Sequence, residues 1–459
     1  MFLNIVLDVW NIIVNFLLDT WYGFVDKTFN FSTVESTYTS IINEIILVFT
    51  ILLAYRTLFI IIGFFGRARK YPECPEDKKY AVIIAARNEE VVIGNLIKSI
   101  KNQTYNQDNI TIFIVADNCT DKTAEIARSL GAIVYERFDK EHVSKGFAIE
   151  FLIDNINRDY GVLSYDYFCI FDADNLLKND FFHQINNALV SKNYDACTSF
   201  RNIKNFDSNV ISASYGIHFY RNTLIGHRPR SILNLTTNAT GTGYAIKSSF
   251  FVNGWHYTNL TEDAEFSIRT IAQDMIIGYC EAAEIYDEQP TSLRVAFKQR
   301  IRWDKGRLIC FIKHCHRLIT RLFTKKNRFF GKYDMYMYFF PYNLVSFFLP
   351  LSIQIFTLVY SLANTGTYDP TIFLKYLAGF LIGGYVGSIL LGLLVVIKER
   401  KKIHSKWYRM ILYLILWPWF DIVSLPITLI AIVKPVKWKP IIHKDTTSIE
   451  DIEKKDIRK

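Results

Sequence analysis

Three long apolar stretches limit what this chain can fold into before any other feature is considered. Residues 41–65, 336–362 and 372–397 are each long enough to cross a bilayer. Hydrocarbon offers the backbone no hydrogen-bond partners, so a single segment of this kind crosses as a helix. Arg56 lies inside the first stretch; a guanidinium at that depth is costly and faces protein or water rather than lipid. Gly66-Arg-Ala-Arg-Lys70 follows, which by the positive-inside rule makes the next domain cytoplasmic. The loop between the second and third stretches has no Lys or Arg and reads as external, and Lys398-Glu-Arg-Lys-Lys402 marks a return to the cytoplasm. A further run, 410–433, is broken by Pro418 and Pro426, contains Asp421, and would put the basic residues 434–439 outside if it crossed. It reads as an interfacial or re-entrant helix. At the start of the chain Asn4, Asp8, Asn11, Asn15 and Asp19 recur every three or four residues among apolar neighbours, a polar stripe on a helix. That segment either lies in the interface or packs its stripe against other helices as a first span. It lacks the basic n-region of a signal peptide.

The remaining composition narrows the class. The chain has 459 residues, room for two or three domains or for one domain with membrane segments. Its net charge of +9 is concentrated beside the apolar runs, which suits a membrane surface, and no nucleic-acid-binding motif is present. Seven cysteines, an odd number with no CxxC pair, fit a reducing compartment better than a disulfide framework. Cys310 and Cys315 with His314 and His316 match no zinc-ligand spacing. There is no internal repeat or low-complexity tract.

From Lys79 onwards the pattern changes. Apolar runs at 80–86, 110–116, 132–136 and 167–171 alternate with helical segments at 88–102, 123–130 and 145–157, separated by short polar turns. This predicts a parallel α/β sheet of nucleotide-binding type. The run 167–171 ends in Asp172-Ala-Asp174. Two carboxylates just past the C-terminal end of a buried strand stand where open α/β sheets bind ligands. Oxygen ligands of this kind suit a hard cation such as Mg²⁺, which is held by one or two carboxylates plus substrate phosphates. A strand followed by an ordinary Asx turn has the same local sequence.

Five ordered motifs decide between these readings. They are Ala85-Ala-Arg-Asn-Glu89, Ala116-Asp-Asn-Cys-Thr-Asp121, Asp172-Ala-Asp174, Leu260-Thr-Glu-Asp-Ala-Glu265, and Gln299-Arg-Ile-Arg-Trp303 preceded by Glu288-Gln-Pro290. With them, the region 79–307 resembles a family 2 glycosyltransferase of the GT-A fold. It looks most like the processive membrane branch that includes cellulose synthase, poly-N-acetylglucosamine synthase and hyaluronan synthase. The Thr-Glu-Asp form and the Gln-Pro pair lean towards the first two. The chain departs from the family in the second motif, where Ala116 and Asn118-Cys119 replace the usual residues.

The resemblance implies roles for individual residues. Glu89 and Asp117 would bind the nucleotide, with Asp117 at the uracil. Asp172 and Asp174 would hold Mg²⁺ or Mn²⁺ at the diphosphate. Lys145 and Arg302 would add positive charge there. Asp263 would be the general base, positioned by Glu262. Gly241, Thr242 and Gly243 would form a small-residue loop under the acceptor sugar, and Gln299 and Trp303 would place the acceptor, Trp303 by stacking on a sugar ring. Direct displacement with one base inverts the anomeric centre, so an α-linked UDP-sugar gives a β-linked product. The implied enzyme is a multi-pass hexosyltransferase of a bacterial cell membrane with a cytoplasmic catalytic domain. It polymerises a UDP-sugar, UDP-glucose favoured, into a 1,4-, 1,3- or mixed-linked β-glucan that leaves through its own channel. The alternatives are poly-β-N-acetylglucosamine synthesis from UDP-N-acetylglucosamine and non-processive transfer to a lipid carrier. The implied partners are the UDP-sugar donor, the growing polysaccharide and the lipid bilayer, with room for separate export or regulatory subunits and no nucleic acid. The expected layout is an amphipathic or transmembrane helix at 1–35, a transmembrane helix with basic flank at 36–70, and the GT-A domain at 71–310. A basic interface region at 311–335, two transmembrane helices at 336–397, an interfacial or re-entrant helix at 398–434 and a gating-loop-like tail at 435–459 complete it. The tail is too short for a fused cyclic-dinucleotide-sensing domain.

Overall fold

A computed structural model describes residues 33–324, 328–365, 368–441 and 443–457. The polar-striped segment at 1–25 lies outside the described residues. Helix α1 (Thr33–Phe65) contains the first apolar stretch. The sheet then begins with β1 (Tyr80–Ala86), α2 (Ile93–Lys101), β2 (Ile110–Asp117), α3 (Thr123–Ser129), β3 (Ile133–Arg137), α4 (Lys145–Asp159) and β4 (Tyr167–Asp172). β1 has almost no polar side chain to show solvent, and the fold pairs both of its edges: it runs parallel to β2 on one side and to β4 on the other. Its alternating side chains serve two layers. Tyr80, Val82 and Ile84 pack with Leu96 and Ile97 of α2, and Ala81 and Ile83 with Ile149 and Leu152 of α4.

The second half of the sheet differs from the all-parallel expectation. It is built from β5 (Leu176–Leu177), α5 (Phe181–Lys192), β6 (Ala196–Ile203), α6 (Val210–Asn222), α7 (Arg228–Ile232), β7 (Tyr244–Lys247), α8 (Glu262–Ala272) and β8 (Ile277–Asp287). The full order is β3-β2-β1-β4-β7-β6-β8-β5. β7 runs antiparallel to both β4 and β6, and β5 antiparallel to β8, so the sheet is mixed. β7 enters from a loop that crosses the C-terminal edge of β4. Gly243 makes that entry with φ +68. A side chain there would be strained by the backbone and would strike Ser199 and Ile285.

The remaining helices are α9 (Leu293–Thr320), α10 (Phe329–Phe339), α11 (Tyr342–Thr365), α12 (Pro370–Glu399), α13 (Trp407–Ile422), α14 (Ser424–Val433) and α15 (Ile449–Ile457). Four helical stretches among the described residues are long and apolar enough to cross a membrane: Tyr38–Phe65, Tyr342–Ala363, Pro370–Glu399 and Trp407–Val433. The second apolar stretch does not begin as a span. Residues 336–339 belong to α10, which stops before Pro341, as expected of a residue that disfavours α geometry in front of it. The two charged residues singled out inside the apolar runs, Arg56 and Asp421, have protein partners. Arg56 donates to the Met337 carbonyl at 2.8 Å, and Asp421 accepts two bonds of 2.7 Å from Arg221 of α6.

A buried ion cluster joins the sheet domain to these helices. Arg228 pairs with Glu281 of β8 at 2.6 Å and with Glu399 at the end of α12, and donates to the Gly63 carbonyl of α1 at 3.2 Å. Lys398 donates to the Phe64 and Gly66 carbonyls at 2.6 and 2.9 Å. Removing Arg228 takes the directly paired cation from two buried carboxylates, Glu281 and Glu399. Arg228→Met is therefore expected to cost about 3–5 kcal/mol. Thermal unfolding in detergent checks this, and a midpoint equal to that of the unaltered protein would show that the cluster does not hold the two parts together.

Candidate active site

The polar residues converge on the C-terminal edge of the sheet, where β1, β2 and β4 end together. Asp172 is the last residue of β4; its backbone N–H donates to the Thr242 hydroxyl at 2.9 Å and to Asn175 Oδ1 at 3.1 Å. Lys145 is the first residue of α4, a helix capped by the Ser144 hydroxyl. Its ammonium donates to Asp172 Oδ1 at 2.5 Å and to the Gly241 carbonyl at 2.7 Å, and lies 3.7 Å from Glu262 Oε1. Burial opposes the charged form of Asp172, but Lys145 outweighs it and holds the carboxyl below its ordinary range. Gly146 lets α4 approach this closely, since a side chain there would collide with the Tyr257 carbonyl. Asp174 is buried, accepts the Glu288 N–H on Oδ2 at 3.0 Å, and receives Lys204 Nζ on its carbonyl at 3.0 Å.

At the ends of β1 and β2 the two connecting turns interlock. Asn88 and Asn118 both adopt φ near +55, at 58 and 52, a region Asn tolerates because its short side chain bonds locally. Asn88 Oδ1 accepts the Thr120 N–H at 2.8 Å. Asp117 is buried and accepts Arg137 Nη1 at 2.7 Å and Asn118 Nδ2 at 3.0 Å, with Arg87 at 3.9 Å. Glu89 faces the same space, and both its oxygens lie 3.0 Å from His443 Nδ1. His443 comes from the C-terminal segment and stands 3.9 Å from Asp174. Burial works against its charge, but Asp174 and Glu89 raise it to about 10. The same segment lays Trp438 against Arg87, with 5.7 Å from the guanidinium to the ring centroid. It is anchored by Glu288, which accepts the Lys444 and Asp445 N–H groups at 3.2 and 3.1 Å, and by Ile449 and Ile452 packed on Leu176 and Tyr286.

Glu262 and Asp263 open α8, where carboxylates complement the positive end of the helix. Thr261 makes no side-chain capping bond, so these acids are not explained by a simple Thr cap. Burial raises Glu262 to about 7, with Lys145 opposing and Asp263 adding to the rise. Burial also raises Asp263, against the Ala264 N–H, Lys145, Arg302 and Arg201. Gly241, at φ +77, leaves space beside it: a Cβ there would sit 3.8 Å from both Asp263 Oδ2 and Arg201 Nη1. Thr242 and Gly243 stand behind this surface, Thr242 linking Asp172 to Asn175 and Gly243 seating β7.

On α9, Arg302 donates to the Leu260 carbonyl at 2.9 Å, which ties it to the loop before Glu262 rather than to Asp172. Trp303 stands edge-on to Tyr215 at 5.8 Å and packs on Phe219 at 6.2 Å. Gln299 Oε1 and Arg87 Nη1 are buried with no hydrogen-bond partner among the described residues. All the residues singled out in the sequence except Thr242 and Gly243 line one cavity of about 970 Å³. Its walls continue past Trp303 to Tyr342, Asn343, Phe380, Gly383 and Ser388 on α11 and α12. Four participants carry no sequence motif: Arg137, Arg201, Asp287 and His443. Asp287 is buried against Arg201 and raised to about 7 by that burial.

Among the described residues no cluster of three or more His, Cys, Asp or Glu side chains is placed to hold a metal ion alone. Asp172 and Asp174 fit the other kind of site, in which two carboxylates share a hard cation with phosphate oxygens and water. Asp172 keeps Oδ2, and Asp174 Oδ1, outside the bonds just described.

Comparison with known proteins bears on the family and the fold. Residues 75–306 match the family described as "Glycosyltransferase like family 2". The probable glycosyltransferase YdaM of Bacillus subtilis (strain 168) is 25% identical over 291 residues, 61% of this chain and 66% of that protein. Beta-monoglucosyldiacylglycerol synthase of Synechocystis sp. is 23% identical over 227 residues, 49% of this chain and 47% of that protein. Poly-beta-1,6-N-acetyl-D-glucosamine synthase of Staphylococcus epidermidis is 26% identical over 232 residues, 49% of this chain and 53% of that protein. The matches thus span less than two thirds of each relative's length. Among solved structures, the mannosyltransferase PcManGT from Pyrobaculum calidifontis in complex with GDP-Man and Mn2+ superposes with a TM-score of 0.52 at 14% identity. That alignment covers 78% of this chain and 97% of that one, and it establishes the GT-A fold.

The raised Asp263 carboxyl has a measurable consequence. A base must be ionised, so a reaction that uses Asp263 loses rate as pH falls through its raised value. The acidic limb of the kcat/KM profile is expected above the ordinary Asp value of about 4. A limb at or below that value would assign the base to another group.

Proposed function

We propose, from the premise that the chain belongs to glycosyltransferase family 2, that it is a processive inverting polymerase at a bacterial cell membrane. It draws on a cytoplasmic UDP-sugar, UDP-glucose favoured, and extends a β-linked glucan that leaves between its own helices. The observation that carries this reading is the single cavity running from Asp172 and Asp263, past Trp303, to helices apolar enough to span a bilayer. A one-step transfer to a small acceptor needs no such extension.

The chemistry follows from the order of the residues. Glu89 and Asp117 hold the nucleotide, with Arg137 fixing the Asp117 carboxylate. The terminal sugar of the acceptor rests against Trp303, oriented by Gln299, with Gly241 leaving room beside it. Asp263 takes the proton of the acceptor hydroxyl, and the oxygen attacks the anomeric carbon from the face opposite the diphosphate. As that bond forms, the bond from the anomeric carbon to the diphosphate oxygen breaks, so an α-linked donor gives a β-linked product. Lys145 stabilises the departing charge from a position already fixed by Asp172 and Gly241. A divalent cation such as Mg²⁺ or Mn²⁺, held by Asp172 and Asp174, would neutralise charge on the diphosphate. Arg302 acts through the Leu260 carbonyl, setting the start of α8 and with it Glu262 and Asp263.

The layout read from the sequence extends to the membrane. α9 carries the acceptor residues and continues into a basic surface helix with Ile312 and Ile319 exposed, suited to the cytoplasmic lipid face. The tail after the interfacial helix pair at Trp407–Val433 serves as a strap over the donor site. Trp438→Ala is expected to slow polymer synthesis several-fold with the protein still folded; unchanged synthesis would remove the strap's role.

Likeness to beta-monoglucosyldiacylglycerol synthase supports a second reading, transfer of one sugar to a lipid. Likeness to poly-beta-1,6-N-acetyl-D-glucosamine synthase supports a different donor, UDP-N-acetylglucosamine. Purified protein in nanodiscs with Mn²⁺ or Mg²⁺ separates the three readings when UDP-glucose and UDP-N-acetylglucosamine are supplied in separate reactions, with Asp263→Asn as the blank. High-mass product from UDP-glucose, cut by linkage-specific glucanases, is expected. High-mass product from UDP-N-acetylglucosamine alone would reassign the donor, and a single-sugar lipid would replace the polymerase reading.

A further inference from the structure

Arg201 belongs to none of the five motifs, yet it stands at the centre of the site. It is the sixth residue of β6, just past a break in register: Ser199 pairs with Cys280 and Phe200 with Glu284, leaving 281–283 of β8 unpaired. Such irregularities re-aim side chains next to active sites. The Arg201 side chain is spent in three directions. Nε donates to Asp287 Oδ2 at 2.7 Å, with Nη2 on the same oxygen. Nη1 donates to the Thr240 carbonyl at 3.3 Å. The guanidinium lies over the ring of Phe219, 4.1 Å from its centroid, and Phe219 in turn packs on Trp303.

These contacts close a circuit. Asp287 Oδ1 accepts from Asn175 at 3.0 Å, Asn175 Oδ1 accepts from the Thr242 hydroxyl, and that hydroxyl accepts the Asp172 N–H. Asp172 holds Lys145, and Lys145 holds the Gly241 carbonyl, the neighbour of the carbonyl that Arg201 holds. The 240–243 loop is gripped by a cation on each side. We propose that Arg201 is the positioning residue of the transfer reaction: it clamps this loop opposite Lys145 and sets a fixed positive charge across Gly241 from the Asp263 carboxylate. This rests on the reading of Asp263 as the base.

The ionised groups around Asp263 show why the charge counts. Glu262 on the same helix disfavours its ionised form, and Tyr244 of β7 and Cys310 of α9 add no positive charge. Lys145 of α4, Arg302 of α9 and Arg201 favour it. Lys145 is already shared with Asp172 and Glu262, and Arg302 is tied to the Leu260 carbonyl. A plain structural pair between Arg201 and Asp287 would join β6 to β8 without reaching Thr240, Phe219 or the cavity.

The test uses the full chain in nanodiscs as Arg201→Gln, Arg201→Lys and the double variant Arg201→Gln/Asp287→Asn, which leaves no orphaned carboxylate. Infrared titration of the carboxyl bands in the ligand-free protein, with Asp263→Asn subtracted, reads the protonation of Asp263 without turnover. In both Gln variants the Asp263 midpoint is expected to rise by about one pH unit, and Arg201→Lys to restore it. The acidic limb of UDP release moves with it, and kcat falls by about tenfold to a hundredfold while KM for the donor changes far less. An unmoved midpoint in a double variant that melts like the unaltered protein overturns the proposal, as does an Arg201→Lys variant that titrates like Arg201→Gln. If the unaltered protein releases UDP from neither donor, the proposed function fails, and the infrared midpoint still decides the place of Arg201.

Discussion

Lys145 puts a buried ammonium where three other segments of the chain each bring an oxygen: the end of β4, the loop before β7 and the first turn of α8. No two of these segments are neighbours in sequence, and without the cation two of the oxygens are carboxylates facing each other in a poorly solvated space. A partly buried pair of this geometry is retained because its remaining polar atoms are satisfied around it. Here they are satisfied in a ring through Thr242, Asn175, Asp287 and Arg201. The loop with Gly241 is therefore held by chemistry on both flanks, although its own residues are small and have little to pack.

What was legible in the sequence follows from the same distinction between local and distant causes. β1, β2 and β4 are continuous apolar runs ended by polar turns, and each appears where its composition places it. β6 does not read as a strand because Thr198, Ser199, Arg201 and Asn202 interrupt it; in the fold Thr198, Arg201 and Asn202 are paired with Thr240, Asp287 and Glu284. β7 has four residues, too few to show a period. Its antiparallel direction depends on a loop that has to cross the sheet edge, so the mixed sheet lay beyond what periodicity reveals. The site divides in the same way. Residues in short motifs were visible, and nearly all of them face one cavity. Arg201, Asp287, Arg137 and His443 were not, because each acts through a partner far away in sequence and none sits in a recurring local pattern. The outward clue for Asp421 and Arg56 was their cost in an apolar run, and their partners, Arg221 and the Met337 carbonyl, account for it.

The junction between sheet and helices also explains how one cavity serves both. Arg228 and Lys398 fix the ends of α1 and α12 to the edge of the sheet, while α9 leaves the site carrying Gln299, Arg302 and Trp303 towards the apolar helices. The aromatic walls of the passage include Phe219, Trp303, Tyr338 and Phe420, and guanidinium groups lie over Phe219, Tyr338 and Phe420. Flat apolar faces beside fixed donors suit a sugar ring, which has both kinds of surface.

The contact of His443 with Glu89 joins residues 354 positions apart. Chains emerge from the ribosome at roughly 5–20 residues per second, and the N-terminal part folds first. β1 and its turn are thus complete long before the segment that covers them exists. In between, α11, α12 and the Trp407–Val433 pair have to be made and, on the reading offered above, the first two inserted. The space around Glu89 is covered by a stretch of chain that follows all four long apolar helical stretches among the described residues. A half-made molecule has the sheet but neither the segment that covers Glu89 nor the helices that line the far end of the cavity, so the site is assembled only when the last of these is made.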